Sequence, residues 1–127
     1  MGTVTPGLTH TLTVPANKIW IPIAVYGRIA TDATVGNRTI AITMTDGVNE
    51  ILRLRNLTVV PASQTVRYSF LQGVGDTASI TGYAVNALPQ IILKEGWTWV
   101  TQIVAGGAGD VHSLVNFIYL EADITQP

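Results

Sequence analysis

A predicted hairpin in the first half of the chain decides the fold class. Residues 38–55 read RTIAITMTDGVNEILRLR. The first half of this stretch alternates Ile or Met with Thr or Ala, which is the period of two expected of a strand with one wet face. Asp46 and Gly47 then indicate a tight turn, because Gly accepts the positive φ that such a turn requires. The returning half places two Arg residues opposite two Leu residues, so residues 38–55 predict two paired strands.

The same alternation recurs along the rest of the chain, and no segment has the period of an amphipathic helix. Thr, Val and Ile make up about a third of the residues, and these β-branched types favour strands. Gly- and Pro-containing turns separate further predicted strands at 8–14, 19–30, 65–71, 79–86, 97–105 and 114–123. The pattern predicts an all-β, single-domain antiparallel β-sandwich, jelly-roll-like, with about eight strands. The predicted organisation is an N-terminal arm at 1–7, the sandwich domain at 8–124 and a C-terminal tail at 125–127.

Composition excludes several classes of function. The 127 residues carry a formal net charge of −1 and only 12% charged residues, against about 25% in ordinary proteins. A nucleic-acid partner is therefore not expected, since it normally needs a basic stripe. The chain has no Cys, which removes disulfides and thiolate metal sites, and no apolar run of about 18 residues that would predict a membrane span. A weakly charged, Thr-rich surface predicts a subunit that lives in contact with others.

No catalytic or metal-binding pattern stands out. His10 and His112 lack a neighbouring ligand at metal-site spacing, so each is interpreted as a surface or edge-strand His. Loop carboxylates could hold Ca²⁺ through oxygen ligands, but they lack the dense spacing of a calcium loop, and Asp is also a common turn former. These carboxylates are Asp32, Asp46, Asp76 and Asp110. We therefore expect no enzyme activity, no catalytic residue, no bound metal and no cofactor.

Apolar residues that alternate in register predict the core. Trp97 and Trp99 share a strand face with Ile103, which favours burial over a sugar-stacking platform. The last predicted strand, 114–123, is apolar on both faces, so both of its sides are expected to be covered. The predicted core comprises Ile40, Ile42, Tyr68, Phe70, Trp97, Trp99, Ile103, Ile118 and Leu120.

The order of several turn motifs carries a family resemblance. The motifs are residues 30–38 (ATDATVGNR), 45–47 (TDG), 61–70 (PASQTVRYSF), 87–89 (ALP), 93–97 (LKEGW) and 109–110 (GD). In this order the chain resembles small virion-associated proteins of tailed bacteriophages, over about residues 19–122. The resemblance implies a jelly-roll capsid decoration, or cement, protein without a catalytic residue. It further implies synthesis in the host cytoplasm, a place on the capsid surface, and the major capsid protein and copies of itself, as a dimer or trimer, as partners.

Partner contacts are expected at the N-terminal arm, on a Thr-rich strand face and at a Trp beside a strand bend. The candidates are Met1, Thr3, Val4, Pro6, Thr9, Thr11 and Trp20. A competing hypothesis is a carbohydrate- or receptor-binding module of a tail or fibre, with Trp20 or Tyr83 exposed to stack on sugars. A third is a neck or tail component that completes the head.

Overall fold

The computed structural model describes residues 9–55, 59–73, 77–80, 83–104 and 109–124. These residues form nine β-strands, joined by turns and loops, and contain no helix. The strands are β1 (Thr9–Thr13), β2 (Lys18–Ala30), β3 (Thr39–Thr45), β4 (Glu50–Arg55), β5 (Thr65–Leu71), β6 (Thr77–Ile80), β7 (Tyr83–Ala87), β8 (Thr98–Val104) and β9 (Val111–Asp123). Within these described ranges, no helix has the length and apolar character needed to cross a membrane.

The strands form two sheets that pack face to face. The four-stranded sheet has the order β1-β8-β3-β4, and the five-stranded sheet has the order β6-β7-β5-β2-β9. The predicted all-β sandwich is confirmed, and β3 and β4 form the predicted hairpin. The strand predicted at 79–86 is instead two antiparallel strands, β6 and β7. β7 lies between β6 and β5 and runs parallel to β5. The other strand pairings are antiparallel.

The inward faces of both sheets supply one hydrophobic core. Of the nine residues predicted for it, six are buried: Ile40, Ile42, Tyr68, Phe70, Trp99 and Ile103. The Trp99 ring meets the Phe117 ring edge-on across the core, with 4.8 Å between the ring centroids. Trp97 is only half-buried, because it precedes β8 and packs at the margin of the core, with the Lys94 Nζ 5.8 Å from its ring centroid.

Strand β9 corrects the remaining two core predictions. Ile118 and Leu120 are 44% and 60% exposed, because they point away from the core while Val115 and Phe117 point into it. The expectation that both sides of this strand are covered is therefore wrong. β9 is the edge strand of the five-stranded sheet, and no second layer of described residues packs on its outer face.

Two irregularities interrupt the long pairing of β2 with β9, between Pro22 and Ala24 and between Tyr26 and Arg28. At the second, Leu114 takes a left-handed backbone conformation with a φ of 55°. This irregularity is a β-bulge, which bends the strand and changes the direction of the side chains beside it. Gly27 lies at the same place, and a Cβ there would overlap the Tyr68 ring and its hydroxyl oxygen. The absence of a side chain at residue 27 therefore makes room for Tyr68.

Candidate functional site

A buried ion-pair cluster joins two loops at one end of the sandwich. Arg38, at 1% exposure, donates from Nε to Asp110 Oδ2 at 2.9 Å and from Nη2 to Asp32 Oδ1 at 2.8 Å. Its Nη1 donates to the Gly36 carbonyl oxygen at 2.8 Å, and the backbone N–H of Asp32 donates to Asp110 Oδ1, also at 2.8 Å. The guanidinium therefore occupies the position between the two carboxylates that a cation would need.

This arrangement does not favour the calcium alternative for the loop carboxylates. Asp32 and Asp110 both form ion pairs with Arg38. Asp46 accepts from the backbone N–H groups of Val48 and Asn49 in its own turn, and these hydrogen bonds lower the pKa of the Asp46 carboxyl below its ordinary value. Asp76 lies outside the described residues. Among those described, no three His, Asp or Glu side chains come together as a possible metal site.

A second polar cluster lies inside the sandwich and links the two sheets. The Tyr68 hydroxyl of the five-stranded sheet lies 2.7 Å from Thr101 Oγ1 of the four-stranded sheet and 2.7 Å from His112 Nε2. His10 Nε2 donates to the His112 carbonyl oxygen at 3.0 Å. Burial raises the pKa of the Tyr68 hydroxyl above its ordinary value of 10.0, so Tyr68 stays protonated at neutral pH.

The two histidines lie on edge strands, as expected, but both are buried rather than on the surface. Their rings meet edge-on with 4.7 Å between centroids, where β1 of one sheet faces β9 of the other. The sequence carried no metal or triad spacing for them, and only the fold brings residues 10, 68, 101 and 112 together. Because the core encloses the cluster, its geometry fits a polar clamp between the sheets better than a site open to substrate.

The partner-contact candidates separate into three groups. Thr9 and Thr11 are exposed on β1, the edge strand of the four-stranded sheet. Trp20 is only 3% exposed, so the expectation that it is available to a partner is wrong. Its ring stacks on Tyr119 at 4.0 Å between centroids, and its Nε1 donates to Glu121 Oε1 at 3.1 Å. The remaining candidates lie outside the described residues: Met1, Thr3, Val4 and Pro6.

The outer face of the five-stranded sheet holds two features that the sequence analysis missed. One is an exposed apolar row on the edge strand β9, formed by Val111, Leu114, Ile118 and Leu120. The other is a groove of about 450 Å³ across β9, β2, β5 and β7. The groove is lined by Tyr26, Gly27, Arg67, Tyr68, Ser69, Ala84, Val85, Leu114 and Asn116. The apolar residues of 114–123 are evident in the sequence, but a strand that is apolar on both faces predicts burial rather than an exposed row.

Comparisons of this chain with protein-family models, with curated protein sequences and with solved structures found no match.

Proposed function

We propose that this chain is a structural protein of a tailed-bacteriophage virion, a capsid decoration protein that binds the outer shell and stabilises it by non-covalent contacts. The exposed apolar row on the edge strand β9 is the observation that carries the proposal. Exposed apolar surface of this kind suits a protein that buries it against a neighbouring subunit. The sequence resemblance supplies the choice of a phage capsid as the neighbour.

The backbone of β9 supports a role in contact as much as its side chains do. An edge strand presents unpaired N–H and C=O groups, and proteins usually guard such an edge with charges, Pro or short length. β9 is 13 residues long, and residues 111–120 contain no Asp, Glu, Lys, Arg or Pro. Residues 115–120, between the bulge at Leu114 and Glu121, form a regular uncharged part of this edge that can accept a strand from a partner, with the exposed side chains adding affinity.

The opposite edge of the sandwich offers a second, more polar contact. Thr9, Thr11 and Thr13 are exposed on the edge strand β1. Their hydroxyl groups can donate and accept hydrogen bonds, and their methyl groups add apolar area. We include Thr9 and Thr11 in the proposed capsid contact, with β9 as the main surface.

Substitutions on β9 test the proposal directly. Capsids that lack the protein are mixed with purified wild-type protein or with the variants Ile118→Lys and Leu120→Lys, and bound copies are counted per particle. We expect hundreds of wild-type copies over the shell and loss of binding by both variants, because a buried lysine charge is costly. Val48→Lys is the control, since Val48 is also an exposed apolar residue but lies in the turn between β3 and β4, away from β9.

Two results would overturn the proposal. Full occupancy by both β9 variants would show that the apolar row does not contact the shell. Six or twelve wild-type copies at one vertex would instead place the protein in the neck or tail. Thermal unfolding of each isolated variant shows whether a loss of binding reflects the surface or a loss of folding.

The carbohydrate-module hypothesis requires exposed aromatic rings. Trp20 does not meet this requirement because it is buried, and the side chain of Tyr83 lies outside the described part of the structure. A sugar-binding role therefore needs a different site from the one predicted.

A further inference from the structure

We propose that the outer face of the five-stranded sheet carries a binding site for an acidic monosaccharide unit, whose carboxylate is held by Arg28 and Arg67. This site is distinct from the apolar row of β9 that carries the capsid proposal, although Leu114 borders both. The inference does not depend on the chain being a virion protein.

The two arginines form a like-charged pair across neighbouring strands. Arg28 of β2 and Arg67 of β5 are directly opposite each other in register. Gly27 and Ile29, on either side of Arg28, are buried, so Arg28 points to the outer face. Side chains opposite one another on a sheet have Cβ atoms about 5 Å apart, and like charges in such positions destabilise the pairing. A shared anion would convert this repulsion into attraction.

Neither arginine has a carboxylate partner within the described ranges. Arg38 and Arg53, by contrast, are each paired with Asp or Glu. The sequences of β2, β5 and β7 contain no Asp or Glu at all. The positive charge on this part of the face is therefore uncompensated by its own strands.

Two buried polar atoms at this site, one of them in the arginine pair itself, also have no hydrogen-bond partner among the described residues. They are Arg28 Nε and Ser113 Oγ, and Arg28 and Ser113 are in register on β2 and β9. Buried polar atoms in folded proteins are normally hydrogen-bonded, and those left unpaired need an explanation. Arg28 Nε can only donate, and the Ser113 hydroxyl can donate as well as accept, so a carboxylate oxygen is one partner that could accept from both atoms.

The adjoining groove has the size and lining of a small-ligand site. Its volume of about 450 Å³ lies within the range typical of such sites, and they are mostly apolar with a few convergent polar groups. Tyr26 and Leu114 supply apolar surface, while Arg67, Ser69 and Asn116 supply polar groups. A sugar ring combines C–H faces that pack on an aromatic ring with hydroxyl groups that bind amide and hydroxyl side chains. The arginine pair adds the preference for a carboxylate.

Calorimetric titration of the purified protein tests the site with three probes: D-glucuronate, D-glucose and sodium phosphate at matched ionic strength. We expect saturable binding of glucuronate, and binding of glucose and phosphate that is weaker by about tenfold or more, because each lacks one of the two features recognised. Arg28→Gln and Arg67→Gln should each weaken glucuronate binding by about tenfold, since each removes a charged hydrogen-bond donor. Arg55→Gln is the matched control, because Arg55 is an exposed strand arginine on the other sheet.

The possible contrary results are distinguishable. An absence of saturable glucuronate binding overturns the proposal, as does equal loss of affinity in Arg55→Gln. Equal affinity for phosphate shows a simple oxyanion site and overturns the sugar assignment. Binding of a Glu-containing peptide without binding of glucuronate assigns the arginine pair to a protein partner instead. Asn116→Ala, which keeps both arginines, should weaken glucuronate binding while leaving phosphate binding unchanged.

Discussion

Replacement of Asp110 by Asn should remove a large part of the stability of the fold. The Asp110 side chain is fully buried, and both of its oxygens accept from Arg38, at 2.9 Å from Nε and 3.2 Å from Nη2. Asn keeps the shape but loses the negative charge, and its NH2 group would face a guanidinium that can only donate. Breaking a buried ion pair from one side costs about 3–5 kcal/mol, because the other charge stays buried. In this variant only the partly exposed Asp32 carboxylate remains to compensate the Arg38 guanidinium.

Urea unfolding followed by tryptophan fluorescence measures this loss, since the buried Trp99 becomes exposed on unfolding. Asp32→Asn is the matched control. Asp32 contacts the same guanidinium at 2.8 Å, but its side chain is 22% exposed and solvent compensates part of the change. We expect a loss of about 1–2 kcal/mol for this control.

Two results would refute the reasoning. One is an Asp110→Asn variant within about 1 kcal/mol of the wild type, which is the range of a surface ion pair. The other concerns the double variant Arg38→Met with Asp110→Leu, which removes both members of the pair. It should be more stable than Asp110→Asn if the uncompensated charge is the cause, because apolar residues often replace a buried pair without loss. A double variant less stable than Asp110→Asn would contradict this cause.

Three further predictions concern the core. Trp99→Ala should cost about 3–5 kcal/mol and the half-buried Trp97→Ala clearly less, measured by urea unfolding followed by circular dichroism, and equal costs would contradict the difference in their packing. Gly27→Ala should cost about 1–3 kcal/mol because the new Cβ would overlap Tyr68, and a stability unchanged from the wild type would show that the ring can move aside. The raised pKa of Tyr68 means that the folded state keeps a proton that the unfolded state releases, so its contribution to stability is complete below pH 10.0 and declines as the pH rises further. Tyr68→Phe should therefore show a shallower loss of unfolding free energy above that pH than the wild type, and identical slopes would contradict the linkage.

The sequence predicted the positions of the strands more accurately than it predicted which of their faces are buried. In residues 38–55, alternation and an Asp-Gly turn specify a hairpin through local chemistry alone, and the structure has that hairpin. In residues 114–123 the same type of pattern predicted a strand correctly but predicted its burial wrongly. Alternation shows which residues share a face, but it does not show whether another layer covers that face.

The contacts within the polar clusters likewise could not be predicted from the sequence pattern. Arg38, Asp32 and Asp110 come from two loops that are separated by most of the chain, and sequence spacing alone does not indicate that they are in contact. The arginine pair at residues 28 and 67 depends on the register of β2 with β5, which a shift of one residue would destroy. Each site therefore depends on strand order and register.

By itself, the sequence determined the class of this protein: β-branched residues alternating with a period of two, separated by Gly and Pro turns, can bury their apolar side chains only as a layered β structure. The tertiary structure alone decided which strands lie at the edges, that Trp20 is buried while Ile118 and Leu120 are exposed, and which charges meet. The physical reason is that backbone preference and side-chain alternation are local properties. Burial and charge pairing are set instead by residues far apart in the chain, which become neighbours only when the two sheets assemble.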